Sequence, residues 1–396
     1  MGDTILITKI FREKKGYIAT AIYQEQKLLE VHLESMERQS ILGNIYVGRV
    51  KNIVKNLNAA FIEIEPGIPC YYSLEDLKHP LYVKKVNSPN LVQGDEVVVQ
   101  VVRESSGSKP PKVSTNLNFS GKYLVLTSEN TTLGISKKLD PETRKRLKKD
   151  LSFDKAREFG LIVRTNAASA SVDEILDEYQ QLEQEYLSIK KNAVHRTVFS
   201  CLKQEVPEYL HMLKDVRQEQ VEKIITDDTE LFQQIQQHLE IFHVQLNHKL
   251  SLYQDELLSL NKLYSLDIRI QEALKERVWM KSGGYLVIQP TEALTVIDVN
   301  SGKSIAKKHA EEHYLKINLE AADEIARQIR LRNLSGIIIV DFIDMKSEEN
   351  NEMLLKNLRA SVRNDSVPVQ VVDMTRLHLV ELTRKKVRKS LAEQLV

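Results

Sequence analysis

Two hydrophobic runs near the C-terminus each end in an aspartate. The first is LTVIDVNSGK at residues 294–303 and the second is GIIIVDFIDMK at residues 336–346, so the two acids are Asp298 and Asp341. Each run reads as a buried β-strand, and a carboxylate that is buried without a partner is costly. Two strands that finish in this way predict a place where a positive group is held. A hard divalent cation, which takes oxygen ligands, is the natural candidate.

The segment between these two acids can bring them together. A strand–helix–strand connection returns the second strand beside the first, so both aspartates can lie at one edge of a sheet. The Asn300 amide would assist them, and a bound Mg²⁺ would polarise a phosphate and lower the pKa of a water. The alternative is that the aspartates cap helices or pair with arginines. That alternative fits Asp344 better than it fits the other two.

Short strands between residues 39 and 117 predict a small β-barrel. They are NIYVGRVKNIV, AAFIEIE, CYYSL and DEVVVQVVRES, with glycines between them. Such barrels often bind single-stranded nucleic acid by stacking bases on aromatic rings. Phe61 and Tyr71 lie in these strands, although a place in the barrel core is the competing interpretation for Phe61. Three basic residues lie close by in sequence: Arg49, Lys51 and Lys55.

Other polar groups have weaker chemical interpretations. Arg164 and Thr165 follow the apolar strand GLIV and form either a phosphate clamp or an ordinary surface pair. The basic runs at 144–149 and 384–389 are either solvated helix faces or sources of non-specific attraction for nucleic acid. The adjacent acids Asp227 and Asp228 precede a helical pattern and are best explained as a helix N-cap.

Composition sets the limits for these interpretations. The chain has 396 residues, a net charge of +1 and 42% hydrophobic residues, as expected for two to four globular domains. It has no apolar run long enough for a membrane span, and its first residues do not resemble a secretory signal. The two cysteines, Cys70 and Cys201, match no zinc-binding spacing, and a reducing cytoplasmic location is the expectation.

The predicted elements position the candidate residues as follows. Residues 1–35 carry two or three strands with Gly16 as a turn residue, and they need a distant segment to complete a core. Residues 171–275 are mainly helical, with a strand at 221–226. Residues 276–396 alternate strands and helices, beginning with a turn at Gly283–Gly284. The helix between the acid-tipped strands carries an apolar stripe at Leu319, Ala322, Ala326 and Ile329.

Several of these segments together resemble the catalytic half of the ribonuclease E/G family. The resemblance rests on TEALTVIDVNSGK, NLEAADEIARQIRLRNLSGIIIVDFIDM and GNIYVGRV…LNAAFIEI, and it extends in order from about residue 3 to about residue 390. It implies a multidomain α+β protein. An RNase H-like domain (1–38 with 200–275) would hold an inserted S1 (OB-fold) barrel (39–117) and a 5′-sensor region (118–199). A DNase I-like α/β catalytic domain (276–396) would follow.

The resemblance also implies an activity. Members cleave single-stranded RNA with Mg²⁺, for which Mn²⁺ can substitute, and leave 5′-phosphate and 3′-hydroxyl ends. Ribosomal RNA precursors and messenger RNA are the expected substrates. The alternative is a protein that keeps the fold and binds RNA without cutting it.

The family's functional residues fall on matching positions of this sequence. The catalytic set corresponds to Asp298, Asn300 and Asp341, with the two aspartates as metal ligands. The family's 5′-phosphate pocket corresponds to Gly121, Val125, Arg164 and Thr165. The RNA contacts of the barrel correspond to Phe61, Tyr71 and Lys109, with tyrosine where the family usually has phenylalanine.

Two departures from the family pattern alter these expectations. The sequence stops before the family's zinc-binding CPxC motif, so we expect no zinc, and a homodimer would form without that link. A second arginine of the 5′-phosphate pocket aligns near Pro368, whose side chain cannot bind phosphate. The expected dependence on a 5′-monophosphate is therefore reduced.

Overall fold

The computed structural model describes residues 2–395 except 38–39, 79, 106–108, 152, 154–156, 217–218, 242–245 and 303–309. The chain divides into two compact units, one made of residues 1–38 and 218–396 and the other of residues 39–217. None of the helices in the described ranges is long and apolar enough to cross a bilayer.

The N-terminal segment forms three strands: β1 (Asp3–Arg12), β2 (Lys15–Gln24) and β3 (Lys27–Ser35). The turn between β1 and β2 is made by Glu13 and Lys14, both with positive φ, whereas Gly16 lies inside β2. The prediction that Gly16 forms this turn was therefore wrong. Two-residue hairpins need positive φ at both central residues, and here non-glycine residues adopt it.

The second unit begins with the strands of the barrel and continues with a smaller sheet and its helices. In chain order its elements are β4 (Ile45–Val54), β5 (Ala59–Glu65), β6 (Ile68–Ser73), β7 (Tyr82–Lys84), β8 (Glu96–Arg103), β9 (Lys112–Ser114), β10 (Asn118–Ser120), β11 (Leu124–Thr127), β12 (Leu133–Ile135), α1 (Pro141–Asp150), β13 (Gly160–Val163), α2 (Val172–Ala193), β14 (Cys201–Lys203) and α3 (Glu208–Asp215).

The chain then returns to the first unit, which it completes with the strands and helices of the C-terminal part. These are β15 (Val221–Thr226), α4 (Thr229–Ile241), β16 (Leu250–Leu252), α5 (Leu260–Leu263), α6 (Leu266–Leu274), β17 (Arg277–Trp279), β18 (Tyr285–Pro290), β19 (Leu294–Asn300), α7 (Ala310–Leu331), β20 (Gly336–Asp341), α8 (Glu348–Ser361), β21 (Val369–Met374), β22 (Leu379–Arg384) and α9 (Leu391–Gln394).

Five strands close the predicted barrel, which is OB-like. They follow the order β4-β5-β6-β9-β8, and β8 pairs again with β4 to complete the ring. Gly48 lies where β4 runs between β5 and β8, and a Cβ there would be 2.6 Å from Cγ2 of Ile62. A glycine inside a strand marks such a close approach. The barrel interior is apolar and includes Ile62, Tyr72 and Val99.

A four-stranded sheet completes the second unit in the order β10-β11-β13-β12. The long helix α2 packs on it through Ile175, Tyr179 and other buried residues. The basic run at 144–149 lies in helix α1, which begins with an N-cap by Asp140. The N-cap predicted in the other unit is confirmed, because Asp228 accepts a hydrogen bond from Leu231 N at the start of α4.

The first unit contains two sheets. The N-terminal strands enter a five-stranded sheet of order β16-β15-β1-β2-β3, in which β1 runs parallel to β15. This is the distant segment that the N-terminal strands required, and the predicted strand at 221–226 is confirmed. The second sheet has six strands in the order β17-β18-β19-β20-β22-β21. Helices α7 and α8 cover one face of it around a core that includes Ile297, Ile325, Val340 and Leu354.

The basic run at 384–389 does not form the predicted helix face. Arg384 ends strand β22, and its side chain is only 2% exposed. It forms a two-pronged ion pair with Asp365 at 2.9 and 3.0 Å and also donates to Asn333 Oδ1 at 2.6 Å. Arg384 therefore binds a partner within the fold, because a buried charge needs a partner.

Candidate active site

The two predicted metal ligands face each other across adjacent parallel strands. Strands β19 and β20 run parallel with five paired positions, and the last pair joins Asp298 to Asp341. The long helix α7 connects the two strands, so the predicted strand–helix–strand connection and the meeting of the strand ends are both confirmed.

The carboxylates lie on the face of the sheet opposite to the helices. Along β19, Ile297 and Val299 are buried in the core, whereas Asp298 and Asn300 alternate with them and are half-buried. Successive side chains of a strand point to opposite faces. Asp341 follows the buried Val340 and is exposed. Asp298, Asn300 and Asp341 therefore share one accessible surface, which we call the open face.

Asn300 orients one of the two acids. Its amide Nδ2 donates to Asp298 Oδ2 at 2.6 Å. The two residues are two positions apart on one strand and so project on the same side. This hydrogen bond fixes the orientation of the Asp298 carboxylate.

The electrostatics of Asp341 favour a bound cation. Partial burial raises the pKa of its carboxyl group, and the negative charges of Asp298 and Asp344 raise it further. Like charges held close together disfavour ionisation, and a cation between them reverses that effect. Asp344 is exposed and contributes to this negative potential.

The donor set suits magnesium better than a closed metal cage. Within the described ranges, no group of three or more histidine, cysteine, aspartate or glutamate side chains could enclose an ion. Mg²⁺ typically uses one or two protein carboxylates and keeps several waters. The pair Asp298 and Asp341 fits this requirement. The two cysteines are both free, with Cys70 buried and Cys201 exposed.

The four residues predicted to bind a 5′-phosphate all lie in the small four-stranded sheet or directly after it. Arg164 follows β13 and donates through Nη1 to the Gly121 carbonyl at 2.6 Å. Thr165 comes next and is exposed. Val125 lies within β11, paired with Ile162 of β13. The structure thus brings Gly121 and Arg164 into contact and places Val125 one strand away.

A glutamate that the sequence did not single out organises the turn after Gly121. The Glu178 carboxylate, on α2, accepts hydrogen bonds from the backbone N–H groups of Lys122, Tyr123 and Leu124 at 2.8–3.2 Å. It lies so close to Gly121 that a Cβ there would collide with it. A larger residue at position 121 would have to displace this carboxylate from its backbone hydrogen bonds.

The predicted aromatic pair lies on the outer surface of the barrel. Phe61 and Tyr71 are partners on the adjacent strands β5 and β6, and their rings meet edge to face at 6.3 Å. Both are half-buried, so the core interpretation does not hold for Phe61. Lys109 is exposed three residues before β9, whose first residue, Lys112, pairs with Tyr71.

Two of the nearby basic residues form ion pairs with glutamates of the barrel. Arg49 pairs with Glu96 at 3.0 Å, and Lys51 pairs with Glu63 at 2.5 Å. Exposed ion pairs contribute little to stability, but they lower the positive potential available to a nucleic-acid backbone. Lys112 is likewise paired, with Asp76 at 3.3 Å. The exposed Lys109 is therefore better placed than Arg49, Lys51 and Lys112 to contact a ligand on the aromatic pair.

Comparison with known proteins identifies the family. The profile of the Ribonuclease E/G family matches residues 118–387. Ribonuclease G of Haemophilus influenzae is 32% identical over 382 residues, which cover 94% of this chain and 78% of that protein. The chain belongs to the ribonuclease E/G family. Ribonuclease E of Haemophilus influenzae is 32% identical over 389 residues, and ribonuclease E of Nostoc sp. is 33% identical over 373 residues.

The extent of the match differs between these relatives. The chain spans 42% of the Haemophilus ribonuclease E and 54% of the Nostoc ribonuclease E. The family profile includes the carboxylate pair and the four residues predicted to bind a 5′-phosphate, whereas the barrel precedes it. The barrel residues lie in the part that only the pairwise matches cover.

Helix α7 supplies supporting residues that the sequence did not reveal. Asn318, which is fully buried, donates to Ile343 O at 2.8 Å and accepts from Ile343 N at 3.1 Å. Ile343 lies between Asp341 and Asp344. Glu311 accepts from Ser347 N at 3.0 Å just beyond them. Polar side chains of α7 thus hold the loop after β20 in place.

The apolar stripe predicted on this helix was displaced. The buried positions include Asn318, Ala321, Ala322, Ile325 and Ile329, whereas Leu319 and Ala326 are half-buried. The sequence did contain one signal of this arrangement. The polar Asn318 lies four residues before Ala322 and therefore on the buried side of the helix. Such a residue must find buried polar partners.

Proposed function

We propose that this protein is an endoribonuclease that hydrolyses phosphodiester bonds in single-stranded RNA and leaves 5′-phosphate and 3′-hydroxyl ends. Ribosomal RNA precursors and messenger RNA are its proposed substrate classes. The pairing of Asp298 with Asp341 beside Asn300 on the open face carries this proposal. Membership of a family whose members are named ribonucleases supports it.

Asp298 and Asp341 would hold Mg²⁺, with Mn²⁺ as a substitute. When bound, the ion would polarise the scissile phosphate and lower the pKa of a water molecule. Asn300 keeps the Asp298 carboxylate in a fixed orientation through its hydrogen bond. Asn318 holds the backbone beyond Asp341. Fixed ligands reduce the reorganisation needed when substrate binds.

The second unit would hold the RNA. Phe61 and Tyr71 offer ring surfaces for stacking, and Lys109 offers charge for the backbone. Arg164 and Thr165 would bind a 5′-terminal phosphate together with the backbone near Gly121 and Val125. Arg164 is already held against the Gly121 carbonyl, so this clamp is partly organised without ligand.

The decisive experiment measures cleavage of a 5′-monophosphorylated AU-rich oligoribonucleotide in Mg²⁺. Wild-type protein should cut it, and Asp298→Asn together with Asp341→Asn should reduce the rate more than about 100-fold, since even residues that only support metal ligands cost 10–100-fold. Asp373→Asn is the matched control, because Asp373 is an exposed aspartate on β21 of the same sheet. It should retain the wild-type rate.

The outcomes separate this proposal from a protein that only binds RNA. Binding of the oligoribonucleotide without cleavage in Mg²⁺ or Mn²⁺ would support the binding-only alternative. Cleavage that persists in the double variant would show that the reaction occurs at another site. Mapping of the product ends tests the proposed 5′-phosphate and 3′-hydroxyl chemistry directly.

A further inference from the structure

Two aromatic rings and a guanidinium form a cluster on the first hairpin of the six-stranded sheet. Trp279 and Tyr285 lie on the neighbouring strands β17 and β18, with ring centroids 5.0 Å apart. The Arg277 guanidinium lies 4.5 Å from the centroid of the Tyr285 ring and 5.9 Å from that of Trp279. We call these three residues the hairpin cluster.

The hairpin cluster lies on the open face. Val278 packs against the core, so its neighbours Arg277 and Trp279 point away from the helices. Tyr285 precedes the buried Leu286 and pairs with Asn300 across β18 and β19. Trp279, Tyr285 and Asn300 therefore form one continuous row across three strands.

This row brings the aromatic surface close to the proposed reaction centre. Adjacent strands are about 4.8 Å apart, so the backbone of Trp279 lies about 10 Å from that of Asn300. In the neighbouring row, Arg277 pairs with Val287 and Val287 pairs with Asp298. The cluster thus flanks the carboxylate pair on the same surface.

Packing within the fold does not account for the exposed ring of Trp279. Trp279 is 64% exposed, although most of the large apolar surface of a tryptophan is usually buried. The strand that carries it is an edge strand, and the hairpin does not need this ring to pack on the core, because Val278 and Leu286 serve that purpose. An exposed aromatic ring beside a cation is a typical surface for base stacking.

The hairpin is held firmly enough to present these rings. The Glu320 carboxylate of α7 accepts hydrogen bonds from Lys281 N at 2.7 Å and from Ser282 N at 3.2 Å in the turn. Gly283 in the same turn has a φ of 88°, a conformation that suits glycine. Pre-ordering of the turn lowers the entropy that a bound strand would have to overcome.

We propose that the hairpin cluster is a stacking site for a base of the RNA strand that flanks the scissile phosphate. This inference rests on the proposed function for its ligand and adds a second site of base contact, separate from the barrel. Trp279 would supply the stacking surface, Tyr285 would support that ring, and Arg277 would contribute positive charge for the backbone.

The chain offers a direct optical test, because Trp279 is its only tryptophan. A single-stranded 2′-O-methyl oligoribonucleotide, which resists hydrolysis, is titrated into the 396-residue chain without Mg²⁺. Binding is measured by the anisotropy of a label on the RNA and, separately, by tryptophan fluorescence. We expect the fluorescence to be quenched in parallel with binding. An oligonucleotide with one abasic position, moved stepwise along the strand, should lose the quenching at a single position.

Variants test whether the ring contributes to affinity. Trp279→Ala should weaken RNA binding about tenfold, since stacking on aromatic rings has effects of this size, and Trp279→Phe should restore most of it. Phe11→Ala is the matched control, because Phe11 is a 72% exposed aromatic residue on β1 of the other sheet. It should bind RNA as the wild type does. In cleavage assays Trp279→Ala should raise KM with little change in kcat.

Each outcome decides one point. RNA that binds by anisotropy without changing the fluorescence would overturn the stacking site and leave the proposed function intact. Quenching that does not depend on any base would overturn it as well. A fluorescence change that follows protein concentration without RNA would assign the ring to contact with a second copy. A wild-type protein that binds no RNA would instead overturn the proposed function.

Discussion

Asp341 is placed where its charge is unfavourable without a ligand. Partial burial and the nearby charges of Asp298 and Asp344 raise its pKa, so the folded state takes up a proton more readily than the unfolded state. The stability associated with this proton is complete below the ordinary pKa of 3.8 and is lost as the pH rises through the higher folded value. At neutral pH the protein therefore retains a destabilising negative charge at its candidate active site.

Asp341→Asn should consequently stabilise the fold while it removes activity. At pH 7 we expect the Tm to rise by about 1–2 °C, because asparagine carries no charge. The difference should shrink as the pH falls toward 4, because the pKa of the wild-type carboxyl is raised and it takes up a proton more readily than an ordinary aspartate. Thermal unfolding at both pH values measures this, with Asp373→Asn as the control that should leave the Tm unchanged. A lower Tm for Asp341→Asn at pH 7 would contradict the electrostatic account.

Arg164 is the residue on which the proposed 5′-phosphate clamp depends. Its guanidinium is held by the Gly121 carbonyl, which orients it at the turn organised by Glu178. Arg164→Ala should reduce the ratio of cleavage rates on 5′-monophosphorylated and 5′-hydroxyl substrates by about tenfold, the size expected for one charge-assisted contact. Arg359→Ala, at an exposed arginine of α8, is the control. An unchanged ratio in Arg164→Ala would exclude this clamp.

Among the elements, α7 does more than connect the two acid-tipped strands. Its apolar side packs on the sheet, while Glu311, Asn318 and Glu320 bind the backbone of three separate segments. These segments are the loop after β20, the start of α8 and the turn between β17 and β18. One helix thus fixes the surroundings of the carboxylate pair and of the hairpin cluster.

Asn318→Ala should show this coupling. It leaves the N–H and C=O of Ile343 without their partner, and we expect a loss of about 2 kcal/mol of stability. The Mg²⁺ concentration for half-maximal cleavage should rise about tenfold, since the backbone beside Asp341 is no longer held. Asn357→Ala is a suitable control, because Asn357 also contacts α7, where it donates to Leu319 O at 3.3 Å and to Asp323 Oδ1 at 3.1 Å. Lower stability with an unchanged Mg²⁺ requirement would show that Asn318 supports the fold and does not affect the metal site.

For the chain as a whole, local patterns in the sequence predicted most elements, whereas long-range polar contacts remained hidden. Strand alternation and the crossover rule placed Asp298 beside Asp341, because both depend on short-range geometry. The ion pair of Arg384 with Asp365 and the binding of Glu178 to the turn after Gly121 join residues far apart in sequence. Nothing in a charged run distinguishes a buried arginine from a solvated one before the partner is known.

The division into two units gives a last prediction. Residues 39–217 are contiguous and contain the closed barrel, the small sheet and a core that joins them through Ile45, Val98 and Phe119. A fragment of these residues should therefore fold alone, with a cooperative thermal transition and the circular dichroism of a mixed α/β protein. It should bind single-stranded RNA in a salt-dependent manner. It should not cut RNA, because Asp298 and Asp341 belong to the other unit.

Phe61→Ala within this fragment provides the matched comparison. Loss of the ring on the outer barrel surface should weaken binding about tenfold without changing the thermal transition, because Phe61 is half-buried and lies outside the barrel core. Equal affinity of the two fragments would move the RNA contact away from the aromatic pair. An unfolded wild-type fragment would show that the 39–217 unit depends on the remainder of the chain. Cleavage by the fragment would contradict the assignment of the reaction to the carboxylate pair.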